Sequence, residues 1–434
     1  MRITDIHITP IAVSDPPLLN AAGLHAPYAL RVIIEVVSDE NVYGLGELPG
    51  GADVVADLEA IRPRVMGHDP FQMSALAESI AAHFGHQGAN RPGHMSGPGH
   101  AALARRRAER AFAGVEVACL DLAGKAIGRP VCDLLGGKVR DRVPFSAYLF
   151  YKYAGAGGEL GFGLDATATG WAAARQAQAL TPDGIVAQAQ AMCESFGFKS
   201  IKLKGGVFEP QIEVDTILAL RQTFGPQIPL RLDPNAIWSV ETAIKYGKQL
   251  EGVLEYYEDP TRTQAGMATV AQALTIPLAT NMCTVAFEDI PNAVRLGSEG
   301  IILSDHHFWG GARASLELAR ICRVFGRGLS MHSNSHVGIS LRAMAHLASA
   351  VPNLSFACDT HYPWQSDEVL VGGRLAFDDG CLVIGKAPGL GVELDRAALV
   401  RLHDNYLRCG LERRDDELEM QKVQPGWTFA ETRW

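Results

Sequence analysis

Residues 198–206 read FKSIKLKGG and residues 228–238 read IPLRLDPNAIW. In both, a short apolar run ends in a charged side chain and then a loop bearing glycine or proline. The same unit recurs as VLEYYEDP (253–260), IPLATNMC (276–283), GIILSDHHFWGG (300–311) and GLSMHSNSHVGIS (328–340). The polar residues at these ends are Lys202 and Lys204, Asp233, Glu258, Asn281, Asp305 and His332. Their spacing is roughly 25 residues, the length of one strand–loop–helix–loop unit. Repetition of that unit predicts a (β/α) barrel, in which strand C-termini converge on one face and gather distant side chains around one pocket.

The pattern extends in both directions from this core. Upstream, VPFSAYLFY (143–151) reads as the first barrel strand, followed by a long glycine- and alanine-rich insertion over Lys152–Leu180. Thr181-Pro182-Asp183 then opens a helix, with proline at its first position. Downstream, helices are expected over Ala312–Val324 and Ile339–Ala350, and the last barrel strand over Ser355–Cys358. The stretch after it reads as a hairpin, then a helix near Arg396–Leu407 and an irregular tail. Residues 1–140 read as a separate α+β domain: alternating strands over Ile3–Val13, Ala29–Val37 and Asn41–Gly46, then helices over Ala52–Val65 and Gln72–His83. His86–His100, rich in glycine and proline, reads as a surface or lid loop, because its histidines lack compact ligand spacing. Arg105, Arg106 and Arg107 read as a solvated helical face. The barrel is expected over 141–385, with 386–434 returning to the first domain.

The 434-residue chain is long enough for two domains, with 47% apolar and 20% charged residues. A net charge of −9 argues against nucleic acid as a partner. No apolar run has the length of a membrane span, and MRITDIHITPIAV alternates like a strand rather than a secretion signal. The eight cysteines form no CxxC pair, which predicts buried free thiols and a cytoplasmic location.

Three oxygen donors at successive strand ends, Asp233, Glu258 and Asn281, suit a hard divalent cation such as Mg²⁺. Any one of them alone would read as a helix cap. Lys202 and Lys204 alternate, so both point to one face of their strand. One is expected to meet a substrate carboxylate, and the other to act as a base with its pKa lowered by its neighbour. Alternatively, both are solvated on an edge strand. Asp305 and His332 end consecutive strands and are expected to pair, orienting the imidazole. Together these groups describe removal of a proton beside a carboxylate, with the resulting enediolate stabilised by charges placed in advance.

On IKLKGG, LDPNAIW, YYEDP, ATNM, HFW, HSNSHVGISL and the tail RRDDELEMQKVQPGWTF (413–429), the chain resembles the enolase superfamily, in its mandelate racemase-like group and D-glucarate dehydratase family. The resemblance covers nearly the whole chain. It implies an α+β capping domain over a (β/α)7β barrel. It implies Mg²⁺ on Asp233, Glu258 and Asn281, with His332 paired to Asp305 as the base on one face and Lys204 as the base on the other. Lys202 would support the substrate carboxylate and Asn334 would orient substrate and base. Asn20, His25, Tyr148, His361 and Arg414 would contact the substrate. The implied reaction is dehydration of D-glucarate, and of its C5 epimer L-idarate, to 5-keto-4-deoxy-D-glucarate. A small hexarate is the expected partner, in a homo-oligomer. Competing readings are a dehydratase or epimerase of another hexarate such as galactarate, or a non-catalytic relative that would lack a ligand or base.

Overall fold

The computed structural model of the chain describes residues 1–84 and 106–434. The His86–His100 segment and Arg105 lie outside the described residues. Strands β1 (Ile3–Ser14), β4 (Tyr28–Ser38) and β5 (Tyr43–Pro49) form an antiparallel sheet in the order β1-β4-β5, with a small ribbon of β2 (Leu19–Asn20) and β3 (Gly23–Leu24) set between the first two in sequence. Helices Ala52–Val65, Met73–Phe84 and Arg107–Ile127 complete this region. The third packs hard on β5. A Cβ at Gly44 would stand 2.0 Å from the Ala118 carbonyl oxygen, and one at Gly46 would stand 2.1 Å from that of Gly114. Glycine is therefore what lets helix and strand touch there. Arg107 is exposed, as a solvated face requires, while pairing with Asp57 and lying over the Phe84 ring; Arg106 is half-buried and pairs with Glu109 at 2.9 Å.

Eight parallel strands follow: β6 (Arg142–Phe150), β7 (Ile201–Lys204), β8 (Leu230–Asp233), β9 (Leu254–Glu258), β10 (Leu278–Thr280), β11 (Ile301–Ser304), β12 (Gly328–Met331) and β13 (Cys358–Thr360). They pair in the order β12-β11-β10-β9-β8-β7-β6-β13, with helices in the crossovers. This is the (β/α)7β barrel, nearly closed on itself. Where β12 meets β13 there is no ladder; Ser355 N donates to the Leu329 carbonyl at 3.0 Å, and Ser330 Oγ donates to that of Ala357 at 2.9 Å. The strands are buried on both sides, which is why they read as continuous apolar runs.

Four expectations need correction. The last barrel strand is Cys358–Thr360 rather than Ser355–Cys358, because its register is set by β6, where Cys358 pairs with Phe145. The hairpin after it is reduced to β14 (Cys381–Val383), which extends the sheet by pairing antiparallel to the start of β6. The tail is not irregular throughout. Asp416–Val423 is a helix capped by Asp415, whose side chain accepts from Leu418 N at 3.0 Å, and it packs on β3. The cysteines are all free thiols, but only Cys119, Cys132, Cys322 and Cys358 are buried; Cys193, Cys283, Cys381 and Cys409 are half-buried.

The final segment lies along the N-terminal sheet. Arg396, opening the helix Arg396–Cys409, ion-pairs with Glu35, and His403 Nδ1 donates to the Pro10 carbonyl at 2.7 Å. No helix among the described residues is long and apolar enough to cross a membrane.

Candidate active site

A pocket of about 560 Å³, counting its open mouth, sits over the C-terminal ends of the barrel strands. Its wall includes Asn20, His25, Tyr148, Lys204, Asn281, His332, Asn334, His361 and Arg414. Asp233, Glu258, Asp305 and Lys202 stand directly behind that wall and are joined to it by the contacts below. The structure thus brings to one place all the residues that the sequence proposed as metal ligands, bases or substrate contacts.

On the β7 side the contacts are ionic. Lys204 Nζ lies 2.7 Å from Asp233 Oδ2. Lys202 Nζ lies 2.5 Å from Glu258 Oε2, 2.7 Å from Asp359 Oδ2 and 3.5 Å from Asp233 Oδ2, and it is fully buried. Below them Arg231 Nη1 reaches Asp359 Oδ1 at 3.4 Å. Three buried carboxylates thus face the two ammonium groups. Burial alone would lower both lysine pKa values, but Asp359 and Glu258 hold Lys202, and Asp233 holds Lys204, above the ordinary range. The expected lowering of one lysine by the other is therefore overturned: mutual repulsion is present, but the carboxylates are closer and more numerous. The solvated edge-strand alternative is also removed, since β7 lies between β6 and β8.

The same carboxylates carry the features of a cation site. Glu258 Oε1 and Asn281 Oδ1 are buried without a partner, and Glu258 Oε2 meets only the Lys202 ammonium. Burial and the charge of Asp233 push the Glu258 carboxyl well up. Buried oxygens left without donors are costly unless something positive meets them. Two carboxylates and one amide oxygen are hard donors that fit Mg²⁺.

On the β12 side the contacts are hydrogen bonds centred on one carboxylate, Asp305. His332 Nδ1 donates to Asp305 Oδ2 at 3.0 Å, which leaves Nε2 as the nitrogen available to a bound molecule. Asp305 Oδ1 takes the backbone N–H of His307 at 2.9 Å and His307 Nδ1 at 2.7 Å. Burial would raise Asp305, but His307 and His332 hold it well below the usual carboxylate range. Asn334 Nδ2 also donates to Asp305 Oδ2, at 3.2 Å.

The far wall is built from the N-terminal region and the tail. Arg414 grips Asp416 through Nε (2.6 Å) and Nη2 (2.5 Å) and donates from Nη2 to His25 Nε2 at 2.7 Å. His25 Nδ1 is thereby the protonated nitrogen, and it donates to Asp15 Oδ2 at 2.8 Å. Asn20 Nδ2 donates to Asp416 Oδ2 at 2.7 Å. His361 stacks on His25 with centroids 5.9 Å apart; burial pushes it down to about 3, so it is neutral, and its Nε2 has no partner. The Tyr148 ring lies 4.8 Å from Lys202 Nζ and 5.9 Å from Lys204 Nζ.

The sequence reading passed over Asp359, Asp15, His307, Arg31 and Glu47. Asp359 had a signal: it stands two residues before His361 at a strand end and so shares its face. Arg31 and Glu47 also had one: Glu47 is the single charge in β5, and Arg31 is the single cation in β4, which is otherwise apolar but for Glu35 and Ser38. Asp15 and His307 had none beyond their neighbours.

Residues 11–136 match the family model for the mandelate racemase / muconate lactonizing enzyme N-terminal domain, and residues 184–398 match that for the enolase C-terminal domain-like family. The chain is 46% identical over its full length to a probable glucarate dehydratase of Streptomyces coelicolor, covering 99% of that protein. An enolase from Thermobispora bispora, crystallised with magnesium and formate, superposes with a TM-score of 0.91 at 50% identity, covering 100% of both chains. One from Pseudomonas fluorescens, with bound magnesium, potassium and tartrate, superposes with a TM-score of 0.91 at 47% identity, over 100% of this chain and 99% of that one.

Proposed function

The chain belongs to the mandelate racemase / muconate lactonizing enzyme family of the enolase superfamily, and on that premise we propose that it is a magnesium-dependent hydro-lyase acting on D-glucarate and L-idarate. The observation that carries the reading is the presence of two candidate bases on one pocket wall, Lys204 and His332. They stand on β7 and beyond the end of β12, with β8 to β11 between them on one side and β6 and β13 on the other. Its support from likeness is the 46% identity to a probable glucarate dehydratase.

Asp233, Glu258 and Asn281 would hold Mg²⁺, which supplies positive charge beside the carboxylate whose neighbouring C–H bond breaks. His332 Nε2 takes the C5 proton of D-glucarate, and Asp305 stabilises the imidazolium that results. The electron pair of the C–H bond passes into the adjacent carboxylate as an enediolate. Its collapse expels the 4-hydroxyl, which leaves as water with a proton returned from His332. Tautomerisation of the enol gives 5-keto-4-deoxy-D-glucarate. With Asp233 turned to a bound cation, its hold on Lys204 would be relaxed, and the neutral amine would take the C5 proton of L-idarate, which faces the other way. Lys202, buried among Glu258, Asp359 and Asp233, offsets their charge from behind. Arg414, His25 and Asn20 meet the far carboxylate, with Arg414 acting as an oriented donor because Asp416 already balances its charge.

The test is product analysis by NMR on a panel of hexarates with Mg²⁺. Formation of one 4-deoxy-5-keto product from both D-glucarate and L-idarate is the expected result. Turnover of galactarate alone, or epimerisation without loss of water, would replace this reading.

A further inference from the structure

Asp305 is held from outside the barrel. Asn334, which donates to it, accepts at Oδ1 from Arg31 Nη1 at 2.9 Å. Arg31 lies on β4 of the N-terminal sheet, and its Nε donates to Glu47 Oε1, on β5, at 2.7 Å. Glu47 also accepts from Val337 N at 2.9 Å through Oε1 and from Ser340 N at 2.8 Å through Oε2. Those two N–H groups open the barrel helix Gly338–Ala350, so a carboxylate of the N-terminal sheet serves as that helix's cap. The circuit then closes: Ser340 Oγ lies 2.9 Å from His307 Nε2, and His307 Nδ1 is bonded to Asp305. Arg31 and Glu47 are 2% and 1% exposed.

We propose that Arg31 and Glu47 are positioning residues for His332, acting through Asn334 and Asp305. The inference rests on the reading of His332 as the base. The geometry supplies the reason. An Asn amide is nearly symmetric in shape, and only its partners decide which end carries the donors. The Arg31 donor fixes Oδ1 on its own side and so turns Nδ2 toward Asp305. Asp305 Oδ2 then has two donors, Asn334 and His332, and Oδ1 has two from His307. That saturation locks the carboxylate plane and with it the His332 tautomer, with the proton on Nδ1 and Nε2 free. Without Arg31, Asn334 can turn its oxygen toward a carboxylate oxygen, which repels it. Glu47 keeps Arg31 aimed and ties the His332 loop to the helix after it. A buried Arg–Glu pair adds little to stability over an apolar pair of the same size, so stability alone does not account for it. No such anchor reaches Lys204, whose partner Asp233 belongs to the barrel.

The test compares Arg31→Met and Glu47→Gln with the wild-type enzyme loaded with Mg²⁺. Dehydration of D-glucarate should lose about 10- to 100-fold in kcat, the range for outer partners of a reacting group. KM should stay within roughly twofold, since ground-state binding is untouched. Deuterium exchange of L-idarate through Lys204 should be unchanged. In substrate-free protein, ¹⁵N NMR of the His332 ring should show a single Nδ1–H tautomer in the wild type and a mixture in the variants. Equal loss on both epimers, or wild-type kcat with wild-type ring shifts, would overturn the proposal. Should Arg31→Met fail to fold, Arg31→Lys carries the same test, because it keeps the charge and loses the two-pronged fork. If the wild type acts on no hexarate, the functional reading falls, and the ring NMR still decides the positioning role.

Discussion

Lys204 and His332 line one pocket, and they are held there by different parts of the molecule. Lys204 is fixed inside the barrel, by Asp233 at 2.7 Å and by the buried charges around Lys202. His332 is fixed across the seam between barrel and N-terminal sheet, through Asp305, Asn334 and Arg31. The first arrangement forms with the barrel itself and depends on charge balance among neighbouring strands. The second is complete only when the N-terminal sheet is docked. One pocket therefore contains a candidate base anchored within the barrel and a candidate base anchored across the seam with the N-terminal sheet. Changes in the sheet should reach one face of the substrate and spare the other.

The largest effect should erase the difference between the sides. Treatment with EDTA is expected to abolish turnover of both epimers, and added Mg²⁺ to restore it, because on the proposed reading both bases need the charge that Asp233, Glu258 and Asn281 would hold. Full turnover in stripped enzyme would remove the metal from the scheme. His332→Asn should then separate the sides. D-glucarate dehydration should fall on the order of 10²–10⁴-fold, while proton exchange from L-idarate through Lys204 continues. Loss of exchange from both epimers in a folded variant would break the comparison.

Arg414→Ala tests the wall that both sides share. A hydrogen bond to a charged group is worth about 1.5–3 kcal/mol, so KM for diacids should rise about 10- to 100-fold, and that for matching mono-acids much less. An equal rise for both would place Arg414 in support of His25 rather than against substrate.

The smallest effect is on stability. Glu116, in the helix Arg107–Ile127, accepts from Arg313 N at 3.3 Å, just beyond the Asp305 loop, and burial pushes it up to about 7. Its folded pKa is above the ordinary 4.5, so the stability it confers is complete below 4.5 and is lost as pH rises through about 7. Glu116→Gln should flatten part of the fall in unfolding free energy between about pH 4.5 and 7, by about 3 kcal/mol at most, read by denaturant unfolding at each pH. Glu213, Glu368 and Asp259, also pushed up to about 7, would keep part of the slope in the variant. An unaltered pH profile would show that Glu116 is charged in the folded protein.

The two sides also differ in how far the sequence revealed them. Lys204 and Asp233 end neighbouring strands, and their place at one pocket follows from alternation and spacing, while the role proposed for each comes from the resemblance. Asp305 and His332 are legible in the same way, as the ends of β11 and β12. What anchors them is not: Arg31 lies 303 residues from Asn334, and Glu47 lies 293 from Ser340. Nothing local in a strand tells which distant N–H its charge will meet. The β13 offset has the same origin, since pairing with β6 rather than the apolar run sets its start. The tail helix Asp416–Val423 escaped notice because its sequence, DELEMQKV, has too few apolar residues for a stripe. Its cap and its seat on β3 hold it instead.

Gly44 and Gly46 leave no clearance between β5 and the helix Arg107–Ile127. Glu47 is the next residue in the chain, and by strand alternation it projects from the opposite side. The helix surface thus acts as a datum from which the reach of Glu47 is measured. A methyl group at position 46 would move that datum, and the carboxylate that caps the barrel helix would arrive displaced. Drift in this lineage is therefore constrained at a position that touches neither substrate nor base: a side chain at 46 can be accepted only together with a compensating retreat of the helix.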